Sequence, residues 1–145
     1  EQRKQQTEII ARFIEKFMQI MAQKSECGAQ HFILLGDFNA ASKVVTDGKS
    51  IPPVDSCVLK RLQQTGLSHI SDTLLPDHPS VGNPDHYMTL DHIFVSPELA
   101  ARIHKGERPL YTFKPQRPSD HNPTVVYIES RERNKAMTPS AGVTR

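Results

Sequence analysis

The stretch from residue 31 to 39, HFILLGDFN, constrains the fold more than any other part of the chain. Its apolar run ends at Gly36, which is typical of a buried strand that stops at a tight turn. Asp37 and Asn39 follow on the connection, and their spacing lets both side chains point the same way. An ordinary turn gives the same pattern, but the oxygens of these two residues also suit a hard cation. The stretch therefore predicts a strand with a candidate site at its end.

A long amphipathic helix is predicted before this strand, over residues 3–24. Its apolar side chains recur at helical spacing opposite a face of Arg, Lys, Gln and Glu, so we expect the whole apolar stripe to form core. The stripe consists of Ile9, Ile10, Phe13, Ile14, Phe17, Met18 and Met21. A helix, a glycine-containing turn and an apolar strand make an α/β unit.

Further along the chain, the patterns predict a helix over residues 55–65 and strands over 89–96 and 124–128. Ser96 and Pro97 stand in the usual order for the start of a short helix, cap first and then proline. Loops are predicted for segments rich in Pro, Gly and polar residues, namely 40–54, 76–88 and 105–122. The last segment, 130–145, has little to bury, and we expect a disordered tail.

Composition sets broad limits. The 145 residues, 37% hydrophobic and 23% charged, suit one domain with a modest core, and a net charge of +2 implies no polyanionic partner by itself. No apolar run approaches the ~20 residues that span a bilayer. Cys27 and Cys57 lack metal-type spacing and are expected to be free, buried thiols. No signal-peptide pattern opens the chain, and the cytoplasm is slightly favoured. The chain starts at Glu1 in a helix-forming stretch, so we expect a longer protein.

Three short acidic motifs lie in or after predicted strands: GDFN at 36–39, LDHIF at 90–94 and SDH at 119–121. Asp91 lies in an apolar run, where a carboxylate without a partner is costly. An aspartate beside a histidine fixes the tautomer of the imidazole and stabilises its charged form, and His121 is the natural partner. The neighbouring Asp120 can turn the opposite way and bind a metal.

These motifs, in this order and spacing, resemble the C-terminal half of the endonuclease/exonuclease/phosphatase superfamily, over about residues 3–129. That superfamily includes deoxyribonucleases, abasic-site endonucleases, sphingomyelinases, inositol-polyphosphate phosphatases and deadenylases. The segment LDHIFVSPELA is most similar to bacterial members, whereas in the inositol-phosphatase form an arginine stands where this chain has His92. The resemblance implies an α/β fold, half of a four-layer α/β/β/α sandwich. Residues 1–129 would supply one mainly antiparallel or mixed sheet with helices on one face.

The resemblance also implies roles for the motif residues. Asp37 would orient or deprotonate the attacking water, and Asn39 would hold a phosphate oxygen or a second metal. Asp91 would orient His121, which would act on the scissile phosphate as a general acid/base or charge stabiliser. Asp120 would ligate Mg²⁺ or Mn²⁺, with Asp37, Asn39 and His121 as further candidate ligands. Hydrolysis of a phosphate ester needs these functions, and oxygen-rich ligands suit a hard divalent ion.

One part of the superfamily pattern is absent. Its first half supplies an asparagine, a glutamate that is the principal metal ligand, and groups that reach the phosphate. The acids before Asp37 all lie in or near the first helix: Glu1, Glu8, Glu15 and Glu26. We therefore expect this chain to be half of a catalytic domain that needs its N-terminal half as a partner. Alone, it is expected to bind Mg²⁺ poorly and to hydrolyse nothing.

Several alternatives stay open at this stage. A nuclease acting on nucleic acid is the leading interpretation, a phosphatase or sphingomyelinase-like enzyme is the next, and a catalytically degenerate protein-binding scaffold is the rival from another class. His69, His78 and His86 are interpreted as solvated or capping residues. Residues 102–117 form either a basic loop that grips a nucleic-acid backbone or a loop with scattered charge.

Overall fold

The structure is a computed structural model, and it describes residues 2–23, 31–53, 55–75, 80–83, 85–107 and 119–130. The helices are α1 Gln2–Gln23, α2 Ser56–Gln63, α3 Ile70–Leu74 and α4 Pro97–Ala100. The strands are β1 Ile33–Asp37, β2 Val44–Thr46, β3 Lys49–Ile51, β4 Ser68–His69, β5 Val81–Asn83, β6 His86–Met88, β7 Asp91–Val95, β8 Ile103–Glu107 and β9 Val125–Ile128. This mixed α/β architecture with antiparallel sheets confirms the predicted fold class. None of the described helices is long and apolar enough to cross a membrane.

The described strands divide into three antiparallel sheets rather than one. The central sheet has the order β1-β7-β4, a second sheet has the order β3-β2-β6-β5, and β8 pairs with β9. In the central sheet, Ile33 pairs with Val95 and Asp37 pairs with Asp91. Because the strands are antiparallel, the carboxyl end of β1 lies beside the amino end of β7, which brings together two of the predicted motifs.

Each face of the central sheet has its own core. Phe94 is fully buried on one face, against Ile14 of α1 and Leu62 of α2. Ile93 and Val95 point to the opposite face, where they pack against α3, α4 and β8. The alternation along β7 therefore leaves no solvated face on this strand, as its apolar sequence predicts.

The expectation that the whole apolar stripe of α1 forms core is wrong. Ile9 is 70% exposed and Phe13 is 64% exposed, while Thr7, Ala11 and Ile14 are the buried residues of the helix. These buried residues are three and four positions apart, so they form one narrow line along α1. The seven-residue stripe is wider than that line, and its outer members remain in solvent.

The predicted loops contain short strands. The 40–54 segment holds the hairpin β2–β3, the 76–88 segment holds β5–β6, and β8 occupies the start of the 105–122 segment. Asp47 and Gly48 form the turn of the first hairpin with φ of 51° and 69°, the left-handed geometry that an Asp-Gly turn supplies. β2, β3, β5 and β6 have three residues each, which is too short to show a period in the sequence, and β8 overlaps its predicted loop only over residues 105–107.

The predictions for the cysteines and for the tail fall only partly on the described residues. Cys57 is free but exposed, so the prediction of a buried thiol is wrong for it, and Cys27 lies outside the described residues. Residues 131–145, most of the predicted tail, also lie outside them.

Candidate active site

Two carboxylates face each other where β1 ends and β7 begins. Asp37 and Asp91 are direct partners in the register of the two strands. Like charges directly opposite one another on a sheet are destabilising unless other groups compensate them. The contacts of each carboxylate show how this chain compensates the repulsion.

Asp91 is paired with His121. The ring Nδ1 of His121 lies 2.7 Å from Oδ2 of Asp91, and the two side chains are only 27% and 22% exposed. A carboxylate accepts, so Nδ1–H donates this bond, and Nε2 becomes the nitrogen that can exchange a proton with a substrate. This contact fixes both the tautomer and the ring orientation of His121. We call Asp91 and His121 the imidazole side of the site.

The pKa of His121 is raised above its usual value of 6.5. Burial acts in the opposite direction, but the hydrogen bond and the charge of Asp91 outweigh it, with further help from the charges of Asp37 and Asp120. A raised pKa keeps more of the imidazole protonated near neutral pH.

Asp37 and Asn39 form a tight local turn. The backbone N–H of Asn39 donates to Oδ1 of Asp37 at 2.8 Å, and its side-chain amide donates to Oδ2 at 3.3 Å. Asn39 has a φ of 47°, a left-handed conformation that asparagine tolerates better than most residues. Asp37, Asn39 and Asp120 are all exposed. We call these three residues the oxygen side of the site.

The turn is held from behind by two side chains from distant parts of the chain. A guanidinium N–H of Arg3 in α1 donates to the backbone carbonyl of Asn39 and also pairs with Asp55. The ring Nε2 of His92 lies 2.8 Å from the backbone carbonyl of Ala40, which is fully buried. Successive carbonyls of one turn are thus bonded to α1 and to β7.

His92 is itself bonded to a second buried histidine. A carbonyl only accepts, so Nε2 of His92 carries the proton and Nδ1 accepts from Nε2 of His69 at 3.0 Å. His69 is 5% exposed and stacks on Phe94 with ring centroids 4.3 Å apart. The interpretation of His69 as a solvated or capping residue is therefore wrong, because the fold buries it beside a partner that satisfies it. His86 does lie in solvent, near Asp47, and His78 lies outside the described residues.

A cleft of about 720 Å³ opens beside the imidazole side. Its lining includes Asp91 and His121 together with apolar groups such as Leu35, Ile93 and Pro123. Asp37, Asn39 and Asp120 do not line it. The protonatable side of the site therefore lines an open cleft, and the side chains of the oxygen side lie outside it.

The predicted metal ligands can be tested for fit. Carboxylate and amide oxygens have the right chemistry for Mg²⁺ or Mn²⁺. However, no group of three or more His, Cys, Asp or Glu side chains that could hold a metal ion occurs within the described ranges. The role of Asp37, Asn39, Asp120 and His121 as metal ligands stays a prediction.

The basic segment at 102–117 is only partly described. Arg102 bonds to the backbone carbonyl of Glu129 and to His31, and Lys105 pairs with Glu107 and lies over the ring of Tyr127. These cations are occupied in holding β8 to β9, which favours a structural role for them. Arg108, Lys114 and Arg117 lie outside the described residues.

The chain is similar to known proteins both in sequence and in structure. Residues 22–121 match the sequence model of the endonuclease/exonuclease/phosphatase family. The chain belongs to that family. No significant match was found among curated proteins.

A 3'-5' exonuclease from Neisseria meningitidis is similar in structure, with a TM-score of 0.64 and 22% sequence identity. The match covers 88% of this chain but only 53% of the exonuclease. This chain therefore spans about half the length of that structure.

Proposed function

We propose that this chain is the C-terminal half of a metal-dependent phosphoesterase, most specifically a nuclease that hydrolyses a phosphodiester of nucleic acid. The observation that carries the proposal is the bond between His121 and Asp91 beside the Asp37 turn. Family membership supports phosphoester hydrolysis in general. The exonuclease neighbour supports nucleic acid over a lipid or a small phosphoester.

In the proposed chemistry, each side of the site carries out one proton transfer. Asp37 orients or deprotonates the attacking water, while His121, protonated because its pKa is raised, gives a proton to the leaving oxygen or stabilises developing charge. Asp91 holds the imidazole in the required tautomer. Asn39 contacts a phosphate oxygen. Mg²⁺ or Mn²⁺ is the proposed cofactor, with Asp37, Asn39 and Asp120 as candidate ligands, and it would supply charge neutralisation.

We further propose that the remaining ligands come from an N-terminal half. The absence of a three-ligand group in the described residues and the 53% coverage of the exonuclease both support this. So does the surface, because Ile33 is 45% and Leu35 67% exposed on the same sheet face as Asp37. An apolar strand face beside a catalytic turn suits a second sheet packed against it.

The function is tested on the complete gene product with DNA and RNA oligonucleotides in Mg²⁺, with EDTA as the control. We expect EDTA-sensitive cleavage that His121→Ala abolishes. Preference for a sphingomyelin or an inositol-phosphate substrate would redirect the substrate class. No hydrolysis of any phosphoester would favour the scaffold alternative.

The proposed packing of an N-terminal half on the exposed face of β1 is tested by introducing a thiol with Leu35→Cys. Mass mapping should show fast alkylation at position 35 in residues 1–145 and protection in the complete gene product. Cys57, which is exposed here, serves as the internal reference. Equal alkylation at position 35 in both would contradict the proposed packing.

A further inference from the structure

Ser80 is a fully buried residue that contacts both chain segments of the imidazole side. It precedes β5, its exposed fraction is 0%, and it belongs to none of the acidic motifs. Its hydroxyl and its backbone carbonyl bond to different segments of the chain.

The hydroxyl of Ser80 bonds to the connection that leads into β7. Its Oγ accepts the backbone N–H of Leu90 at 2.7 Å and that of Asp91 at 3.3 Å. It donates to the carbonyl of Met88 at 3.2 Å. One donor and two acceptor positions are the full capacity of a serine hydroxyl, so this group is saturated.

The backbone of Ser80 bonds to the segment that carries His121. Its carbonyl accepts the N–H of Asn122 at 2.7 Å. The next residue, Val81, forms an antiparallel bridge with His121 itself. The imidazole-bearing segment is therefore added to the edge of the β5–β6 hairpin at this point.

Asp91 and His121 are 30 positions apart in the sequence, so the length of their bond depends on how the two segments are held. We propose that Ser80 is a positioning residue that sets the spacing of the Asp91–His121 pair, by bonding through its hydroxyl to Asp91 and through its carbonyl to the His121 segment. The kinetic part of this inference rests on the proposed function, whereas the structural part does not.

The experiment compares Ser80→Ala with the unchanged complete gene product. Alanine keeps the carbonyl but removes the acceptor of two buried N–H groups, so the start of β7 should shift relative to His121. The downfield ¹H NMR signal of the His121 Nδ1 proton, which reports the bond to Asp91, should weaken or move. The kcat for phosphodiester hydrolysis should fall roughly 10- to 100-fold with little change in KM, as expected for a misplaced catalytic group.

Ser71→Ala is the matched control. Ser71 is also fully buried, and its Oγ accepts a backbone N–H of the same strand, that of Ile93 at 2.9 Å. Its loss should lower the free energy of unfolding by a similar amount while leaving the His121 signal and kcat within about threefold of the unchanged protein, since ordinary substitutions away from a site act on stability. Ser80→Thr keeps the hydroxyl and should retain the signal.

The outcomes separate the two proposals. If Ser80→Ala changes the His121 signal and Ser71→Ala does not, the inference is supported even where the unchanged protein hydrolyses nothing, in which case only the proposed function fails. An unchanged signal and kcat in Ser80→Ala would overturn the inference, as would equal effects of both variants. If Ser80→Ala does not fold, Ser80→Cys, which retains a weak acceptor, should show a partial change, and an unchanged signal there overturns it as well.

Discussion

The imidazole side and the oxygen side of the site differ in how much of each this chain builds. Asp91 and His121 are hydrogen-bonded to each other, are partly buried and line a cleft. Asp37, Asn39 and Asp120 are exposed, and no group of three or more His, Cys, Asp or Glu side chains that could hold a metal occurs among the described residues. The difference shows that one histidine–aspartate pair is positioned by contacts within this chain, whereas the proposed cation ligands lie on an exposed turn and an exposed loop position.

The largest expected effect is on the imidazole side. In the complete gene product, His121→Ala should lower kcat by about 10²–10⁴-fold, because a general acid/base contributes that much. Metal affinity should change little. Steady-state kinetics and metal titration check this, with His104→Ala, an exposed histidine of β8, as the control. Full activity of His121→Ala would remove the imidazole from the mechanism.

A smaller effect is expected when the charge of the pair is removed. Asp91→Asn should lower kcat by roughly 10²-fold through a misoriented ring and should lower the pKa of His121, since Asp91 provides the main contributions that raise it. NMR titration of the imidazole measures the shift. Asp120→Asn is the control and should lower the pKa less, because its charge is the weakest contribution.

The Asp91–His121 pair also determines how the stability of the fold changes with pH. A raised pKa means that the bond stabilises the fold fully below pH 6.5 and that this contribution is lost as the pH rises through the raised pKa. Unfolding of the unchanged protein and of Asp91→Asn should therefore differ most in mild acid. A difference that grows towards alkaline pH would contradict the pairing.

The support behind the oxygen side gives a stability effect. His92→Phe keeps an aromatic ring near Phe38 but leaves the buried carbonyl of Ala40 without this donor, which should cost about 1–3 kcal/mol of unfolding free energy. Denaturant unfolding measures it. His92→Gln, whose amide can reach the same carbonyl, should recover part of the loss, and equal stability of both variants would argue against the bond.

The smallest effect concerns an ion pair far from both sides. Arg61 of α2 bonds to Glu8 and Glu15 of α1, and first Arg61 and then Arg12 lower the pKa of Glu8 to about 2. Stabilisation by Glu8 should therefore be present above pH 4.5 and be lost as the pH falls towards 2. Arg61→Ala should raise the pKa of the Glu8 carboxyl, which NMR titration measures, and should leave kcat unchanged. A loss of activity in Arg61→Ala would show that the contact between α1 and α2 is coupled to the site.

Sequence reasoning identified the elements that carry the motifs. β1 and β7 were predicted from short apolar runs and α2 from its helical spacing, although β1 continues through Gly36 to Asp37 rather than ending at the glycine. The Asp47-Gly48 pair was an available signal for the first hairpin that was not used. His69 and Ser80 have no local pattern, because their burial and bonds depend on segments far away in the sequence.

The assignment of roles within the site stays a prediction. The geometry brings Asp91 to His121 and Asp37 to Asn39, and the sequence motifs had pointed to these residues. The spacing of motifs carries no information on which ligands are supplied by other parts of a protein. The metal ligands that were named from the sequence therefore stay a prediction as well.

We propose that this chain holds a finished imidazole side and an oxygen side that is completed by an N-terminal half. The most direct measurement is hydrolysis of a phosphodiester oligonucleotide by purified residues 1–145 with and without Mg²⁺, beside the complete gene product, after NMR has shown the His121 Nδ1 proton bonded in both. We predict no hydrolysis by residues 1–145 and EDTA-sensitive hydrolysis by the complete protein. Mg²⁺-dependent cleavage by residues 1–145 that Asp37→Ala abolishes would contradict the account.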